Sequence, residues 1–171
     1  MTGKLTYLIG DATCPQGPGD KIIAHVCNDI GAWGSGFVLA ISKKWLGPEK
    51  SYRQWAGGCK KNGNRLPLGQ VDFVQVEADP IIVVANIIGQ HNIGMSVGGI
   101  PPVRYDRIRQ GLITVGIHAY DLKATVHAPR FGARLSGGHW KTIEGLIEET
   151  LLAKGIDVFI YDLPTTGVKN A

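Results

Sequence analysis

The sequence predicts a three-layer α/β/α fold, in which a mixed central sheet of about six strands lies between two layers of helices. Short apolar runs, typical of strands, alternate along the chain with segments of helical periodicity. Two of these runs, residues 22–27 and 81–88, are apolar almost throughout, as expected of strands covered on both faces. The 171 residues, 44% of them hydrophobic, suffice for one globular domain with a sizeable core.

The six strands follow from short apolar or alternating segments bounded by glycine, proline and polar residues. They are predicted over residues 5–9, 22–27, 71–76, 81–88, 125–128 and 158–163. The third and fourth are joined by a turn at residues 78–80 and are expected to be neighbours. Residues 164–171 are predicted to be a frayed tail of a single domain that spans residues 1–171 and whose core covers residues 5–163.

The helices follow from apolar residues spaced three or four apart. They are predicted from Phe37 to about Trp45, over residues 48–55, from Tyr105 onwards, and from Trp140 to about Gly155. The segments between them, residues 57–68 and 89–102, are predicted to be loops because glycines, prolines and polar residues interrupt the apolar pattern. A long loop in a compact domain is often functional.

Two strands are each followed by a glycine-rich loop and the start of a helix. The first loop contains Gly31, Gly34, Ser35 and Gly36, and the second covers residues 129–138. Glycines allow backbone N–H groups to approach a ligand, and a helix N-terminus favours an anion such as phosphate. Because ligands bind beyond the carboxyl ends of strands in such sheets, the loops could converge on a diphosphate. Tight connections that bind nothing are the alternative.

Several classes of function lack support in the sequence. Neither loop has the G-x-G-x-x-G spacing of dinucleotide-binding folds, and no Gly-Lys-Ser/Thr motif is present. The five histidines and three cysteines lack metal-ligand spacing, so no metal site, cofactor or disulfide framework is expected. No apolar run approaches bilayer-spanning length. The expectation is a cytoplasmic protein with no membrane partner, and the net charge of +4 weakly favours an anionic ligand.

The order of these motifs resembles the macro domain family over residues 5–163. The resemblance rests on Gly10-Asp11 after the first strand, Cys27-Asn28 before the first glycine loop, and residues 129–140. It is strongest to the branch that contains ADP-ribose 1''-phosphate phosphatases and terminal ADP-ribose glycohydrolases. The resemblance implies a macro-domain-like fold that binds ADP-ribose without a metal.

The resemblance also implies roles for individual residues. Asp11 would accept a hydrogen bond from the adenine amino group, Ala12 would add a backbone contact, and Asn28 would face the distal ribose. The first diphosphate loop would be Gly34, Ser35, Gly36 and Phe37, and the second would be Gly132, Ala133, Arg134, Leu135, Ser136 and Gly137. Asp11 could instead cap its loop, and Asn28 could stabilise its own turn.

The catalytic candidates are Asn28, Asp29 and His91. Asp29 could act as a general base on a water near the distal ribose, and His91 has a side chain suited to acid or base chemistry near neutral pH. A solvated loop carboxylate and a structural or exposed histidine are the alternatives. Lysine-dependent glycohydrolases of this branch carry their lysine where Gln90 stands here and a catalytic aspartate where Ser136 stands. A glutamine cannot form the lysine adduct.

The resemblance, together with these residues, implies two functions from different classes. The first is a metal-independent hydrolase that acts at the distal ribose of an ADP-ribose derivative, as a 1''-phosphate phosphatase, a deacetylase or a mono-ADP-ribosyl hydrolase. The second is a non-catalytic module that recognises ADP-ribose. The partner is ADP-ribose or a derivative, which includes an ADP-ribosylated protein or nucleic acid. A nucleic-acid binder that uses the basic surface is a third and weaker interpretation.

Overall fold

The computed structural model describes residues 1–95, 98–133 and 137–165. Its strands are β1 (Leu5–Ile9), β2 (Lys21–Asn28), β3 (Val71–Ala78), β4 (Ile81–Gln90), β5 (Thr125–Pro129) and β6 (Val158–Asp162). All six predicted strands are confirmed, and their bounds differ from the predicted ones by at most two residues. Of the predicted tail, residues 166–171 lie outside the described residues.

The helices are α1 (Phe37–Lys44), α2 (Gly47–Lys61), α3 (Tyr105–Leu122) and α4 (Trp140–Thr150). A 3₁₀ turn, Leu152–Lys154, follows α4, and Gly155 ends it in the left-handed conformation. The predicted end of the second helix at Trp55 is wrong, because α2 continues through Gly57 and Gly58 to Lys61. Trp55, Ala56 and Cys59 pack against the core, so tertiary burial outweighs the low helix propensity of the two glycines. The predicted loop 57–68 is correspondingly shorter.

The strands form one sheet in the order β1-β6-β5-β2-β4-β3. The first five strands in this order, β1, β6, β5, β2 and β4, are all parallel to one another. The last strand, β3, pairs with β4 in the antiparallel direction. This confirms the mixed sheet of six strands. It also confirms that β3 and β4, joined by the predicted turn, are neighbours.

Two core clusters cover the two faces of the sheet. One is formed by α3 and α4 and includes Ile108, Leu112 and Ile143, all fully buried. The other is formed by α1 and α2 and includes Ile41 and Tyr52. The three-layer α/β/α arrangement is thereby confirmed. Among the helices in the described ranges, none has the length and apolar character needed to cross a membrane.

Candidate active site

The residues selected from the sequence lie along one edge of the sheet. Because β1, β6, β5, β2 and β4 are parallel, the segments that follow them meet at this edge, called the carboxyl edge below. Asp11 follows β1, residues 130–139 follow β5, Asn28 ends β2 and His91 follows β4. Four inter-strand spacings of about 4.8 Å separate β1 from β4, which is about 19 Å. The residues predicted to contact the adenine, the diphosphate and the distal ribose therefore follow one another in that order along the edge.

At the β1 end, Asp11 stabilises its own loop. Its Oδ1 accepts hydrogen bonds from the backbone N–H and the hydroxyl of Thr13, each at 2.8 Å. Its Oδ2 makes no hydrogen bond to the described part of the chain and remains available to a ligand. Ala12 is buried, and the ammonium of Lys44 donates to the Thr13 carbonyl at 2.6 Å. The loop-capping role of Asp11 is therefore present, and the adenine contact stays a prediction.

Asn28 determines the shape of the loop that follows β2. Its Oδ1 accepts hydrogen bonds from the backbone N–H groups of Ile30 (3.1 Å) and Ala32 (3.0 Å), and its Nδ2 donates to the Ala32 carbonyl at 2.7 Å. The Tyr52 hydroxyl lies 2.8 Å from Oδ1 and 2.6 Å from the Asn28 backbone oxygen. Burial raises the pKa of Tyr52, so this hydroxyl stays protonated and donates. One amide hydrogen of Asn28 remains for a sugar hydroxyl.

Hydrogen bonds from Trp33 and Arg53 stabilise the rest of the first glycine loop. Trp33 is buried beneath it, and its indole N–H donates to the Ser42 hydroxyl at 2.7 Å. The Arg53 guanidinium donates to the carbonyls of Gly31 (3.2 Å) and Trp33 (3.4 Å). The next three residues, Gly34, Ser35 and Gly36, are exposed, and α1 begins immediately after them at Phe37. The loop therefore presents backbone N–H groups to solvent from a fixed base, as an anion site requires.

The two ends of the second glycine loop are bonded to each other. Gly138 donates to the Gly132 carbonyl at 3.0 Å, and Ala133 pairs with Gly138 as an isolated bridge. Gly132 has φ of +71°, and a Cβ there would lie 2.8 Å from Ile143 Cδ1, so the position requires glycine. The middle of this loop, with the predicted ligand residues Arg134, Leu135 and Ser136, lies outside the described residues. Gly137 is described and also has a positive φ, of +73°.

At the β4 end, Asp29 and His91 form a hydrogen-bonded pair. His91 Nδ1 lies 2.7 Å from Asp29 Oδ2; the aspartate side chain is 3% exposed and the histidine side chain 36%. An ionised carboxylate only accepts hydrogen bonds, so Nδ1 carries the proton and Nε2 of the neutral ring has a free lone pair. Nε2 makes no hydrogen bond within the described ranges. The two candidates are thus one unit, in which the buried carboxylate orients a partly exposed imidazole.

An irregularity in the sheet brings these two residues together. β2 and β4 stay in register up to Cys27 and Ile88, after which Asn28 pairs with Gln90 and Gly89 is the extra residue. Such bulges redirect the following side chains. Beyond this bulge, Asp29 N–H donates to the Gln90 carbonyl at 3.0 Å and His91 N–H donates to the Pro102 carbonyl at 2.8 Å. The backbone therefore fixes both members of the pair.

Two further residues at this site were not found from the sequence. Asp29 Oδ1 accepts from the Asn92 backbone N–H at 2.9 Å and from Arg65 Nη1 at 3.3 Å. The same Nη1 donates to the Asn92 side-chain oxygen. Arg65 lies in the loop after α2, 36 positions from Asp29, and no motif marks it. Asn92 adopts a left-handed conformation with φ of +58°, which asparagine tolerates better than most residues.

Two other histidines lie inside the sheet and away from solvent. His25 is 2% exposed and its Nε2 donates to Asn86 Oδ1. His127 is fully buried and bonded to Thr125 and Tyr161, each at 2.8 Å. Burial lowers the pKa of each histidine to about 4. In the described ranges, no group of three or more His, Cys, Asp or Glu residues could hold a metal ion.

Solved structures similar to this chain cover nearly its whole length. A structure of a protein of unknown function from Bacteroides thetaiotaomicron is 50% identical, with a TM-score of 0.88 over 94% of this chain and 99% of that one. A macrodomain protein from Streptomyces coelicolor is 46% identical, with a TM-score of 0.79 over 93% and 99% of the two chains. No protein-family profile matches the chain.

Curated relatives are more distant in sequence. The mouse chromodomain-helicase-DNA-binding protein 1-like is 29% identical over 98% of this chain, but this chain spans only 19% of its length. An ADP-ribose 1''-phosphate phosphatase from Candida albicans is 25% identical over 85% of this chain and 92% of its own length. The phosphatase is therefore a relative whose size corresponds to that of this chain.

Proposed function

We propose that this chain, which belongs to the macrodomain family, is a hydrolase that binds ADP-ribose derivatives along the carboxyl edge and cleaves a bond at the distal ribose. The observation that carries the proposal is the Asp29–His91 pair. It lies directly beside the first glycine loop, where the distal ribose is expected. A similar chain from Candida albicans is an ADP-ribose 1''-phosphate phosphatase, which supports the same class of reaction.

The geometry of the edge supports the binding step. The backbone N–H groups around Gly36 and the N-terminus of α1 are exposed and suit a diphosphate. Hydrogen bonds from Asn28 and Arg53 to the preceding loop residues stabilise their position. Asp11 Oδ2 is available to an adenine amino group at β1, which lies three strand spacings from β2. The expected order of ligand groups, adenine, diphosphate and distal ribose, matches the order of these residues along the edge.

His91 would act as the general base. Its Nε2 can accept a proton from a water molecule, while Asp29 holds the ring in one orientation and stabilises the imidazolium that forms. Proton transfer to a positioned side chain contributes about 10²–10⁴-fold in rate. Asp29 is almost inaccessible to solvent and is bonded to three other residues, so it serves as a positioning residue.

This mechanism does not need a lysine at the end of β4. Gln90 stands there, and its side-chain amide donates to the Asn92 carbonyl at 2.9 Å. Its contact therefore helps to shape the segment that carries His91. A covalent lysine adduct has no counterpart at this position, which favours direct attack by water.

The test is a phosphorus NMR time course with ADP-ribose 1''-phosphate, together with chromatography of O-acetyl-ADP-ribose and of ADP-ribose linked to a glutamate peptide. The wild-type protein is expected to cleave at least one of the three. His91→Gln is expected to lower kcat by about 10²-fold or more and to leave the affinity for ADP-ribose unchanged, because the diphosphate contacts are intact.

The matched control is His118→Gln, since His118 stacks on Phe73 near the far end of α3. This variant should retain wild-type turnover. Binding of ADP-ribose without cleavage of any of the three substrates would favour a non-catalytic recognition module. Turnover that is indifferent to His91→Gln would contradict the assigned base.

A further inference from the structure

We propose that Arg65 makes this site selective for an anionic group on the distal ribose, with a phosphate ester as the substrate that it favours. The inference rests on the proposed function and concerns a residue that has no role in it so far. Its basis is the position of the guanidinium, which shares a carboxylate with the proposed base and retains free donors.

Arg65 and His91 contact the two oxygens of one carboxylate. Arg65 Nη1 lies 3.3 Å from Asp29 Oδ1, and His91 Nδ1 lies 2.7 Å from Asp29 Oδ2. The Asp29 side chain is buried behind both groups, so the guanidinium and the imidazole are neighbours on its solvent side. The guanidinium charge therefore lies against the same carboxylate that orients the proposed base.

Most of the guanidinium donors are unused. Nη1 donates to Asp29 and to the Asn92 side chain, whereas Nε and Nη2 make no hydrogen bond within the described ranges. The Arg65 side chain is 52% exposed. A guanidinium with free donors binds phosphate oxygens in pairs, which a lysine ammonium cannot do. Charge compensation for Asp29 alone would require only the contact already present.

The candidate reactions differ in the sign of the charge that develops in the transition state. Transfer of a phosphoryl group to water places negative charge on the phosphate oxygens in the transition state, and a neighbouring guanidinium stabilises that charge. Cleavage of a glycosidic bond at the ribose carbon instead develops positive charge on the sugar, which a guanidinium opposes. Arg65 therefore favours attack at phosphorus over attack at the ribose carbon.

The step balances without a metal or a redox partner. The water oxygen forms a bond to phosphorus as the bond from phosphorus to the ribose oxygen breaks. His91 Nε2 accepts the water proton, and the ribose oxygen leaves with the bonding electron pair and takes a proton from solvent. His91 then returns its proton to solvent, and the products are ADP-ribose and inorganic phosphate. Arg65 bonds to the phosphate oxygens throughout and is not consumed.

The experiment compares Arg65→Met and Arg65→Lys with the wild-type protein on two substrates, ADP-ribose 1''-phosphate and ADP-ribose linked to a glutamate peptide, which carries the glycosidic bond at the ribose carbon. Arg65→Met is expected to lower kcat/KM for the phosphate ester by about 10²-fold relative to that for the glutamate-linked ADP-ribose. Arg65→Lys should recover part of this ratio, because it keeps the charge and loses the paired donors. An unchanged ratio, with both substrates affected equally, would show that Arg65 only positions Asp29, and it would overturn the proposal.

A second measurement does not depend on turnover. Inorganic phosphate is titrated against the protein saturated with ADP-ribose, and its phosphorus NMR line width is followed. We expect broadening with the wild-type protein and its loss in Arg65→Met. Absence of broadening in the wild type would overturn the Arg65 proposal even if hydrolysis occurs. Broadening without hydrolysis of any substrate would retain the anion site and refute the proposed function.

Discussion

At the scale of single residues, the decisive feature is the asymmetry of the groups around Asp29. Oδ1 receives two donors, the Asn92 backbone N–H and Arg65 Nη1, whereas within the described part of the chain Oδ2 contacts only His91. The donors to Oδ1 cannot become acceptors, since a guanidinium and an amide N–H only donate. The orientation of the carboxylate, and with it the tautomer of His91, is therefore determined by its neighbours.

This asymmetry gives a sharp prediction for Asp29→Asn. The amide oxygen should face Arg65 and Asn92, so the amide NH₂ should point at His91 and turn its Nδ1 into an acceptor. The proton then lies on Nε2, which can no longer act as a base, and kcat is expected to fall by about 10²-fold or more. Isothermal titration with ADP-ribose should give wild-type affinity. Asp106→Asn, at an exposed carboxylate on α3, is the control and should keep full turnover.

At the scale of elements, the periodic parts of the chain are predictable and the contacts between distant parts are not. The strands follow from apolar runs such as Ile22 to Ala24, each fully buried. The predicted end of α2 is wrong because Gly57-Gly58 predicts the end of a helix locally, whereas packing of the last two turns against the core stabilises the helix beyond these glycines. The closeness of Asp29 and His91 depends on the pairing of β2 with β4 and on the bulge at Gly89. No local sequence pattern predicts either of them.

The same reasoning explains what the sequence can and cannot say about the site. The sequence allows Asn28 to be a ligand residue or the residue that stabilises its own turn, and the structure shows the second role without testing the first. Arg65 escapes detection because a single arginine in a polar loop is indistinguishable from a solvated surface residue. Only the tertiary contact with buried Asp29 distinguishes it.

The second glycine loop offers an element-scale prediction. Gly132→Ala would place a Cβ 2.8 Å from Ile143 Cδ1 at a backbone φ of +71°, so the free energy of unfolding should fall by about 1–3 kcal/mol. Gly145→Ala is the matched control, because Gly145 lies on the exposed face of α4 and a Cβ added there would meet no atom within 4 Å. It should raise stability by about 0.5–1 kcal/mol. Urea unfolding of both variants measures the difference, and equal effects would contradict the strained geometry.

At the scale of the whole molecule, two buried histidines support opposite parts of the carboxyl edge. His25 packs edge-on against Trp33 beneath the first glycine loop, with ring centroids 5.6 Å apart. His127 is bonded to the Tyr161 hydroxyl, which accepts a hydrogen bond from the Gln16 backbone N–H in the loop after β1. Both rings are neutral in the folded protein, because burial lowers the pKa of each to about 4.

The two buried histidines, His25 and His127, make the stability of the fold sensitive to mild acid. An unfolded histidine has a pKa of about 6.5, so below that pH the unfolded chain takes up protons that the folded chain does not, and folding stability falls as the pH drops from about 6.5 towards 4. At pH 5 each histidine should cost about 2 kcal/mol relative to pH 7.5. Urea unfolding at a series of pH values measures this loss. In His127→Gln, which cannot titrate, the loss should be about half as large. A pH profile identical to that of the wild type would mean that folding does not lower the pKa of His127.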